Sequence, residues 1–330
     1  MPPPDLRAPP ASNSTCRSRL SAYGRKFVPQ VRAVVHAMRH CAQERLAAVL
    51  SILIPTWNNL DYLRLCVDSI RRNSAQAHQI IVHVNDGSDG TREWVRGAGV
   101  DATFSEANVG ICWAMNEAAT RARREHIVYL NDDMYCLPGW DVALLERARQ
   151  MPSDLYLLSG TMVEPRDSGN PCVVVADHGD TVATFREAEL LARSWQLKRA
   201  DWSGATWPPT LVNRKWWFKS GGYSTELSPG MSSDNDFSMK LWHAGCRHFI
   251  GVGDSLVYHF QCKSTGKVVK NDGRRQFLNK WGMTQSTFDR FYLRRGQAQE
   301  NNAALTDPDL ATTPGLKWAL RKSELRRRFG

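Results

Sequence analysis

Short apolar runs alternate with amphipathic segments over the first half of this chain. Three runs, at residues 48–54, 79–84 and 126–130, are predominantly apolar and have the length of buried β-strands. Helix-periodic segments lie between them: residues from Gly110 through Ala122, and a segment with apolar positions at Leu60, Leu63, Val67 and Ile70. The order strand, helix, strand, helix, strand predicts an α/β fold with a parallel sheet and right-handed crossovers.

Polar, turn-forming residues directly follow each of these strands. They occupy residues 56–59, 86–89 and 131–133, and Asn58 and Asn59 are also placed to cap the next helix. The carboxyl ends of parallel strands meet at one edge of a sheet, which is where open α/β sheets bind ligands. The clusters therefore predict a site at this edge, although ordinary turns explain each cluster taken separately.

The second half of the chain has a less regular pattern. Residues 155–160, 171–176 and 254–260 predict further strands. Asp234 is placed to cap a helix that Gly245 closes, with an apolar face at Phe237, Leu241 and Ala244.

The ends of the chain and one internal segment differ from the rest in composition. Residues 1–25 are rich in Pro, Ser and Arg and predict disorder, and residues 26–47 have the pattern of a helix. Residues 261–273 predict a mobile loop over the site, and residues 316–330 a short basic helix. Because the sequence has no long apolar run, we expect neither a signal peptide nor an ordinary membrane span.

Composition narrows the class of protein. The chain has 330 residues, 42% of them hydrophobic, enough for one large domain or two small ones. Its formal charge of +10 suits nucleotide diphosphates, nucleic acid or an acidic membrane, and is equally compatible with a solvated basic surface. Eight cysteines include no C-x-x-C pair, and Cys66 and Cys112 lie in apolar stretches. We therefore expect buried thiols in a reducing, cytosolic environment.

Five residues offer chemistry at the predicted edge. Asp132 and Asp133 are hard oxygen ligands suited to Mg²⁺ or Mn²⁺, although adjacent aspartates also occur in plain turns. Asp86 could accept hydrogen bonds from a nucleotide, or form an Asx turn. Asp234 and His259 have structural alternatives too, as a helix cap and as a hydrogen-bonded histidine.

The order and spacing of these motifs indicate a protein family more specifically than any single motif does. IPTWNN at 54–59, VNDGSDG at 84–90, EANVG at 106–110, YLNDD at 129–133 and SSDNDFSMKLWHAG at 232–245 follow one another, and VYHF ends the series. Over roughly residues 48–262 the chain resembles glycosyltransferase family 2. That resemblance implies a GT-A fold: a Rossmann-like, mostly parallel central sheet flanked by helices, with a smaller mixed sheet on the acceptor side.

The resemblance assigns the donor pocket. It implies that Pro55, Thr56 and Asn58 line the nucleotide site, with Asp86 on the base, most often uracil in this family. The family's N-x-G segment near the donor corresponds to Asn108 and Gly110.

The resemblance also assigns the catalytic centre. Asp133 corresponds to the last aspartate of the D-x-D motif, a ligand of Mn²⁺ or Mg²⁺, and His259 to a histidine that often completes the metal site. Asp234 corresponds to the aspartate of the Glu-Asp motif, the catalytic base. Asn131 replaces the first acidic residue of D-x-D, so either Asp132 assists or the metal is held chiefly by Asp133 and His259.

Three further residues bear on the expected acceptor site. Ser233 stands where the family usually has glutamate before the base. Trp202 and Trp207 could stack on apolar sugar faces, or serve in packing.

The resemblance therefore implies an inverting glycosyltransferase that uses a nucleotide-sugar, with a UDP-sugar favoured, in polysaccharide, cell-wall or lipid-linked glycan synthesis. The alternatives are an inactive nucleotide-sugar-binding or scaffolding module and, more weakly, a nucleotidyltransferase, for which a glycine- and lysine-rich phosphate loop is missing. The expected organisation is an extension at 1–47, a transferase domain at 48–295 divided at residue 135, and a basic tail at 296–330.

The basic tail predicts one more partner. With Leu316, Leu320 and Phe329 on one side and lysines and arginines beside them, it could dock peripherally on an anionic membrane where a lipid-linked acceptor would lie. A solvated, disordered tail is the alternative. We expect a cytoplasmic protein, peripheral at the inner face of the membrane if the tail docks, and no nucleic-acid partner.

Overall fold

One sheet runs through the part of the protein that the computed structural model describes, residues 49–261, 271–300 and 302–329. Its strand order is β3-β2-β1-β4-β9-β6-β10-β5, with β7 added to β6 and β8 to β10. The strands are β1 (Leu50–Trp57), β2 (Gln79–Asn85), β3 (Asp101–Ser105), β4 (His126–Tyr129), β5 (Met134–Cys136), β6 (Leu157–Glu164), β7 (Val174–Val175), β8 (Trp202–Ser203), β9 (Thr210–Asn213) and β10 (Phe249–His259).

Helices cover the sheet and follow most of its strands. They are α1 (Leu60–Asn73), α2 (Thr91–Gly97), α3 (Gly110–Ala119), α4 (Trp140–Arg149), α5 (Glu187–Arg193), α6 (Arg214–Lys219), α7 (Ser233–His243), α8 (Gly273–Trp281), α9 (Gln285–Thr287) and α10 (Leu316–Phe329).

The first half of the sheet is parallel, as the strand–helix alternation predicts. β1 pairs in parallel with both β2 and β4, and β2 with β3. Trp57 pairs with Asn85, and Leu53 with Tyr129, so the carboxyl ends of these strands face the same side. The predicted α/β fold and the common edge are confirmed.

The second half is mixed and continuous with the first. β9 runs antiparallel to β4 and to β6, and β10 is parallel to β6 but antiparallel to β5 and β8. The smaller mixed sheet predicted for the acceptor side is therefore an extension of the central sheet, because β9 joins the two halves.

Apolar side chains fill both faces of this sheet. In β1, Leu53 packs into one core and Ile52 and Ile54 into another, so the strand is buried on both sides. The amphipathic pattern of α1 has its expected effect, burying Leu63, Cys66, Val67 and Ile70. Cys66 and Cys112 are buried free thiols, as predicted.

Several predicted boundaries differ from the structure. The strand expected at 171–176 shrinks to Val174–Val175, because the preceding residues turn from Asn170, whose carbonyl accepts from the Val173 amide. The helix from Gly110 ends at Ala119, and Ser51 Oγ accepts from the amides of Arg123 and Arg124 as the chain turns into β4. The strand expected at 254–260 begins earlier, at Phe249.

The predicted cap of α7 is also wrong. Asp234 lies inside the first turn of this helix, and Ser232 occupies the N-cap position with a left-handed backbone. This leaves the Asp234 carboxylate available for contacts away from the helix.

The C-terminal basic helix is present as α10, but its predicted apolar side is not. Leu316 is 1% exposed and faces the protein, whereas Phe329 is 83% exposed on the opposite side of the helix. Trp318 and Leu325, 66% and 59% exposed, share the outward side with Phe329. The helix is held by packing on α8 and α9 and by the Ser323 hydroxyl, which accepts from the Thr284 amide.

Some predictions fall outside the described residues. These are the disordered segment 1–25, the helix at 26–47 and residues 262–270 of the predicted mobile loop. None of the helices within the described ranges is long and apolar enough to cross a membrane.

Candidate active site

A cavity of about 430 Å³ opens at the carboxyl edge of β1, β2 and β4. Seven of the residues predicted for the site line it: Pro55, Thr56, Asn108, Gly110, Asp132, Asp133 and His259. Sequence reasoning did not assign six other lining residues: Trp57, Asn85, Ile111, Asn131, Pro229 and Gln261.

Asn58 and Asp86 lie beside this cavity and are joined to each other. Asn58 Nδ2 donates to Asp86 Oδ2 at 2.9 Å, and Asn58 Oδ1 accepts from the Gly87 amide at 3.0 Å. The predicted helix cap is therefore not the role of Asn58. Its side chain ties the end of β1 to the turn after β2 and orients the Asp86 carboxylate.

Asn85 connects the cavity wall to a third segment. Its Nδ2 donates to the Thr56 carbonyl, while its Oδ1 accepts from Ser105 Oγ and from the Val109 amide. Asn85 is thus the residue that fixes the 105–109 loop beside β1. It is the last residue of β2, directly before the polar cluster at 86–89, and the sequence pattern gave it no separate role.

Gly110 makes a close approach that only glycine permits. Its φ is +78°, and an added Cβ would lie 2.6 Å from Cα of Pro229. The amide of Ile111 donates to the Pro229 carbonyl at 2.9 Å, joining the start of α3 to the segment before α7. This junction closes one wall of the cavity.

The two aspartates after β4 have different surroundings. Thr56 Oγ1 donates to Asp132 Oδ2 at 2.7 Å. Burial, together with the neighbouring charge of Asp133, raises the pKa of Asp132. A divalent cation or a hydrogen-bonding ligand at this position would favour its ionised form.

His259 lies between two carboxylates. Its Nδ1 is 2.9 Å from Glu164 Oε1 and its Nε2 is 3.5 Å from Asp133 Oδ2. Burial acts to lower the pKa of His259, but Asp133 and Glu164 outweigh it and raise the value. Glu164 also accepts from Ser168 and Gln261. Sequence analysis missed Glu164, because it lies at the end of β6, distant in sequence from every motif.

Asp133 and His259 fit a divalent metal. Oxygen and nitrogen ligands lie about 2.0–2.2 Å from such ions, so atoms 3.5 Å apart can share one. Glu164 holds the other ring nitrogen, the usual arrangement behind a ligating histidine. Within residues 49–261, 271–300 and 302–329 no group of three or more His, Cys, Asp or Glu is arranged for a metal. The remaining ligands would come from the diphosphate and water, as is common for Mg²⁺.

Asp234 is held by a tyrosine in a partly buried position. Tyr223 Oη donates to Asp234 Oδ1 at 2.6 Å. Burial raises the pKa of Asp234 to about 6, although the hydrogen bond from Tyr223 acts in the opposite direction. A carboxylate with this pKa is well suited to accept a proton near neutral pH.

Tyr129, at the end of β4, places Asp234 relative to the metal residues. Its ring packs edge-on against Tyr223 at a centroid distance of 5.9 Å. Burial raises the pKa of Tyr129, and the charges of Asp234, Asp133 and Asp132 add to the effect. All three carboxylates therefore surround this tyrosine at one edge of the sheet.

The residues that flank Asp234 serve the backbone and the core. Ser233 Oγ donates to the Gly230 carbonyl, so it does not replace the glutamate expected in the family. Asp236 is fully buried and accepts from Ser224 and Trp281. Of these carboxylates on α7, only that of Asp234 is left partly exposed.

The two tryptophans considered for sugar stacking have different positions. Trp202 is 4% exposed, packs over Gly251, and donates to Thr161 Oγ1. It is a core residue. Trp207 lines a second cavity beside α7 and lies under the guanidinium of Arg295.

Left-handed backbone conformations concentrate around the site. Asn58, Asp86, Ser232 and Gln261 have φ values of 46°, 61°, 73° and 55°. Such conformations are uncommon for residues other than glycine and often accompany functional sites, where neighbouring contacts hold them.

Comparison with known proteins agrees with this geometry. Residues 51–169 match the sequence model described as Glycosyl transferase family 2. This segment contains β1 to β6 and ends before Asp234 and His259. No curated protein matches the chain.

Solved structures of TarS from S. aureus have a similar fold. TarS 1–349 in complex with UDP-GlcNAc has a TM-score of 0.52 and 14% identity, over 71% of this chain and 65% of that chain. Another crystal structure of TarS 1–349 has a TM-score of 0.49 and 15% identity, over 64% and 60%. The chain thus spans about three fifths of the TarS chains that it matches.

The matched segment carries the strands, the N-x-G loop and the aspartates that build the cavity. The resemblance stated from the motifs is confirmed there, and the fold is that of the GT-A class. Residues 51–169 are therefore similar in sequence to glycosyltransferase family 2, and the described fold is similar to that of TarS.

Proposed function

We propose that this protein is an inverting glycosyltransferase that moves a sugar from a nucleotide-sugar, most simply a UDP-sugar, to an acceptor hydroxyl. The observation that carries this proposal is the position of three carboxylates at the carboxyl edge of the sheet. Asp132 and Asp133 closely follow β4, and Asp234 accepts from Tyr223, whose ring packs against Tyr129 at the end of that strand. Asp132 and Asp133 serve the donor, and Asp234 serves the acceptor.

The shape of the donor cavity supports this assignment. Its volume of about 430 Å³ lies within the range of small-molecule sites, roughly 300–1,000 Å³. Asp86 is oriented by Asn58 to accept a hydrogen bond from a base or ribose, and the Gly110–Pro229 junction allows a ligand to approach the backbone.

A bound Mn²⁺ or Mg²⁺ would neutralise the developing charge on the departing diphosphate. Asp133 and His259 would hold it. Glu164 fixes the His259 ring through Nδ1, which leaves Nε2 directed at Asp133. Thr56 orients Asp132 at the same position.

Asp234 is the proposed base. The acceptor oxygen forms a bond to the anomeric carbon while the bond from that carbon to the diphosphate oxygen breaks. The electron pair leaves with the diphosphate, and the acceptor proton passes to Asp234. Attack from the face opposite the leaving group inverts the anomeric configuration, without a covalent sugar–enzyme intermediate.

The donor assignment is tested by titrating UDP, GDP, dTDP and CDP calorimetrically, with and without Mn²⁺. We expect Mn²⁺-dependent binding of one nucleotide, UDP first. Asp86→Ala should weaken it about 10- to 100-fold, since a hydrogen bond to a charged group is worth about 1.5–3 kcal/mol. Asp68→Asn, on the exposed side of α1, is the control and should bind normally. Folded protein that binds none of the four nucleotides would contradict the proposal.

An inactive nucleotide-sugar-binding module is the alternative. It would bind the same nucleotide with the same metal dependence and show no turnover. Only a measurement of sugar release or transfer separates the two.

We also propose that α10 docks on an anionic membrane surface. Trp318, Leu325 and Phe329 form one exposed stripe along the helix, opposite the buried Leu316. Basic residues flank the stripe: Lys317, Arg321, Lys322 and Arg328. Aromatic and aliphatic side chains beside lysine and arginine suit the boundary between headgroups and acyl chains. This chemistry fits a lipid-linked acceptor in polysaccharide, cell-wall or lipid-linked glycan synthesis.

A further inference from the structure

A second cavity, of about 670 Å³, lies between α7, α8, α9 and α10. We call it the arginine cavity, because four arginines line it together with Trp207 and Asn235: Arg274, Arg275, Arg295 and Arg326. No residue among those described lines both this cavity and the donor cavity.

Positive charge in the arginine cavity exceeds negative charge. Of its two aspartates, Asp289 is paired with Arg295, and Asp272 accepts from the Arg275 amide at the start of α8. The side chains of Arg274 and Arg326 have neither an ion pair nor a hydrogen bond with any other described residue. Two guanidinium groups therefore line the cavity without an ion-pairing carboxylate among the described residues, a setting that favours an anionic ligand.

The wall beside these arginines has the chemistry of a sugar site. Arg295 lies over the Trp207 ring, 4.4 Å from its centroid, and the buried Arg295 Nε has no hydrogen-bond partner among the described residues. Asn235 is 4% exposed and is held by Asp289 and Gln285. An aromatic ring and fixed amide groups can contact the apolar face and hydroxyls of a sugar.

The arginine cavity lies on the acceptor side of the proposed base. Asn235 is the neighbour of Asp234 in the first turn of α7. Thr210 pairs with Tyr129, so Trp207, three residues earlier, lies beyond the same sheet edge as the metal aspartates. Pro229 belongs to the donor cavity, so the segment from Pro229 to Asn235 separates the two cavities.

We propose that the arginine cavity binds the acceptor, and that this acceptor is a sugar that carries an anionic group. The group is a carboxylate or a phosphate, held by Arg274 and Arg326. This inference rests on the proposed function for its link to transfer, but the anion site itself can be measured independently.

The test titrates full-length protein, saturated with UDP and Mn²⁺, with matched pairs of probes. In the first pair, methyl glucuronide carries a carboxylate that methyl glucoside lacks. In the second pair, glucose 6-phosphate carries a phosphate that glucose lacks. We expect the acidic member of one pair to bind at least tenfold more tightly than its neutral partner. Which pair shows the difference identifies the anionic group.

Arg274→Gln combined with Arg326→Gln should abolish that difference and leave UDP binding unchanged. The control variant, Arg64→Gln combined with Arg149→Gln, removes the same amount of charge from exposed positions elsewhere. It should keep the difference in affinity between acidic and neutral probes. Equal binding of acidic and neutral probes, or an unchanged difference in the Arg274/Arg326 variant, would overturn the inference. Failure to bind UDP, GDP, dTDP and CDP alike would contradict the proposed function instead, while the same probes without nucleotide still decide the anion site.

Discussion

Tyr223 sets the ionisation of the proposed base. Its hydroxyl donates to Asp234 at 2.6 Å and opposes the effect of burial, which alone would raise the pKa further. The tyrosine cannot easily move, since its backbone is held on both sides by Asn116 and its ring packs against Phe237. Asp234 is thus fixed in place with a pKa of about 6.

Replacing this hydroxyl should shift the pH dependence of catalysis. The base must be ionised, so kcat/KM should rise with pH through about 6. Tyr223→Phe removes a bond that favours the charged carboxylate, and this limb should move to higher pH by about one unit, since 1.36 kcal/mol corresponds to one unit.

The matching control is Tyr156→Phe. Tyr156 is also buried and hydrogen-bonded, but to His126 at the other end of β4. Its pH profile should match that of the unmodified protein. An acid limb that stays in place in Tyr223→Phe would show that Asp234 does not control it.

Individual site residues differ in how far the sequence predicts them. Asp86, Asp133 and Asp234 stand in recognisable motifs at strand or helix ends, which is why spacing alone draws attention to them. Glu164 and Tyr223 reach the site through tertiary contacts with residues 95 and 11 positions away. No local pattern marks such contacts, because they depend on how β6 and α7 pack.

At the scale of elements, the apolar residues of α10 are exposed differently from what the sequence pattern predicts. Leu316, Leu320 and Phe329 look equivalent in the sequence, but contact with α8 and α9 buries Leu316 and leaves Phe329 outward. The membrane-facing stripe then consists of Trp318, Leu325 and Phe329. Their spacing of seven and four residues places them on one side of the helix.

Vesicle flotation tests this stripe. Changing Trp318, Leu325 and Phe329 together to serine should weaken binding to phosphatidylglycerol-containing vesicles more than tenfold. Burial of each large apolar side chain contributes about 1.5–3 kcal/mol. Trp195→Ser removes a similarly exposed tryptophan, 68% exposed, from another part of the surface and should have no effect. Equal flotation of the triple variant and the unmodified protein would refute membrane docking through α10.

Longer elements are predicted better than short ones. β1, β2 and α1 carry enough apolar residues for a periodic signal, whereas β5, β8 and β9 have only two to four residues each. These short strands form because β10, β4 and β6 offer them paired edges. Such pairing is a property of the assembled sheet. The sequence pattern therefore predicts β1, β2 and β4 of the parallel half, but neither the β3 strand nor the arrangement of the mixed half.

The whole molecule places two cavities at one edge of a continuous sheet. β9 joins the parallel half to the mixed half, bringing Trp207 to the edge where Asp132 and Asp133 follow β4. The donor cavity and the arginine cavity consequently lie on either side of the segment from Pro229 to Asn235. Asp234 in this segment is positioned to serve a reaction between their ligands.

The most direct test of this account compares the unmodified protein with Asp234→Asn for release of sugar from the nucleotide-sugar that binds, with Mn²⁺ and with water as acceptor. We expect the amide to lower turnover by about 10²–10⁴-fold, the usual contribution of a general base, while calorimetry shows unchanged UDP binding. Equal turnover by both proteins, or tight UDP binding without turnover by either, would contradict the assignment of Asp234 as the base of an active transferase.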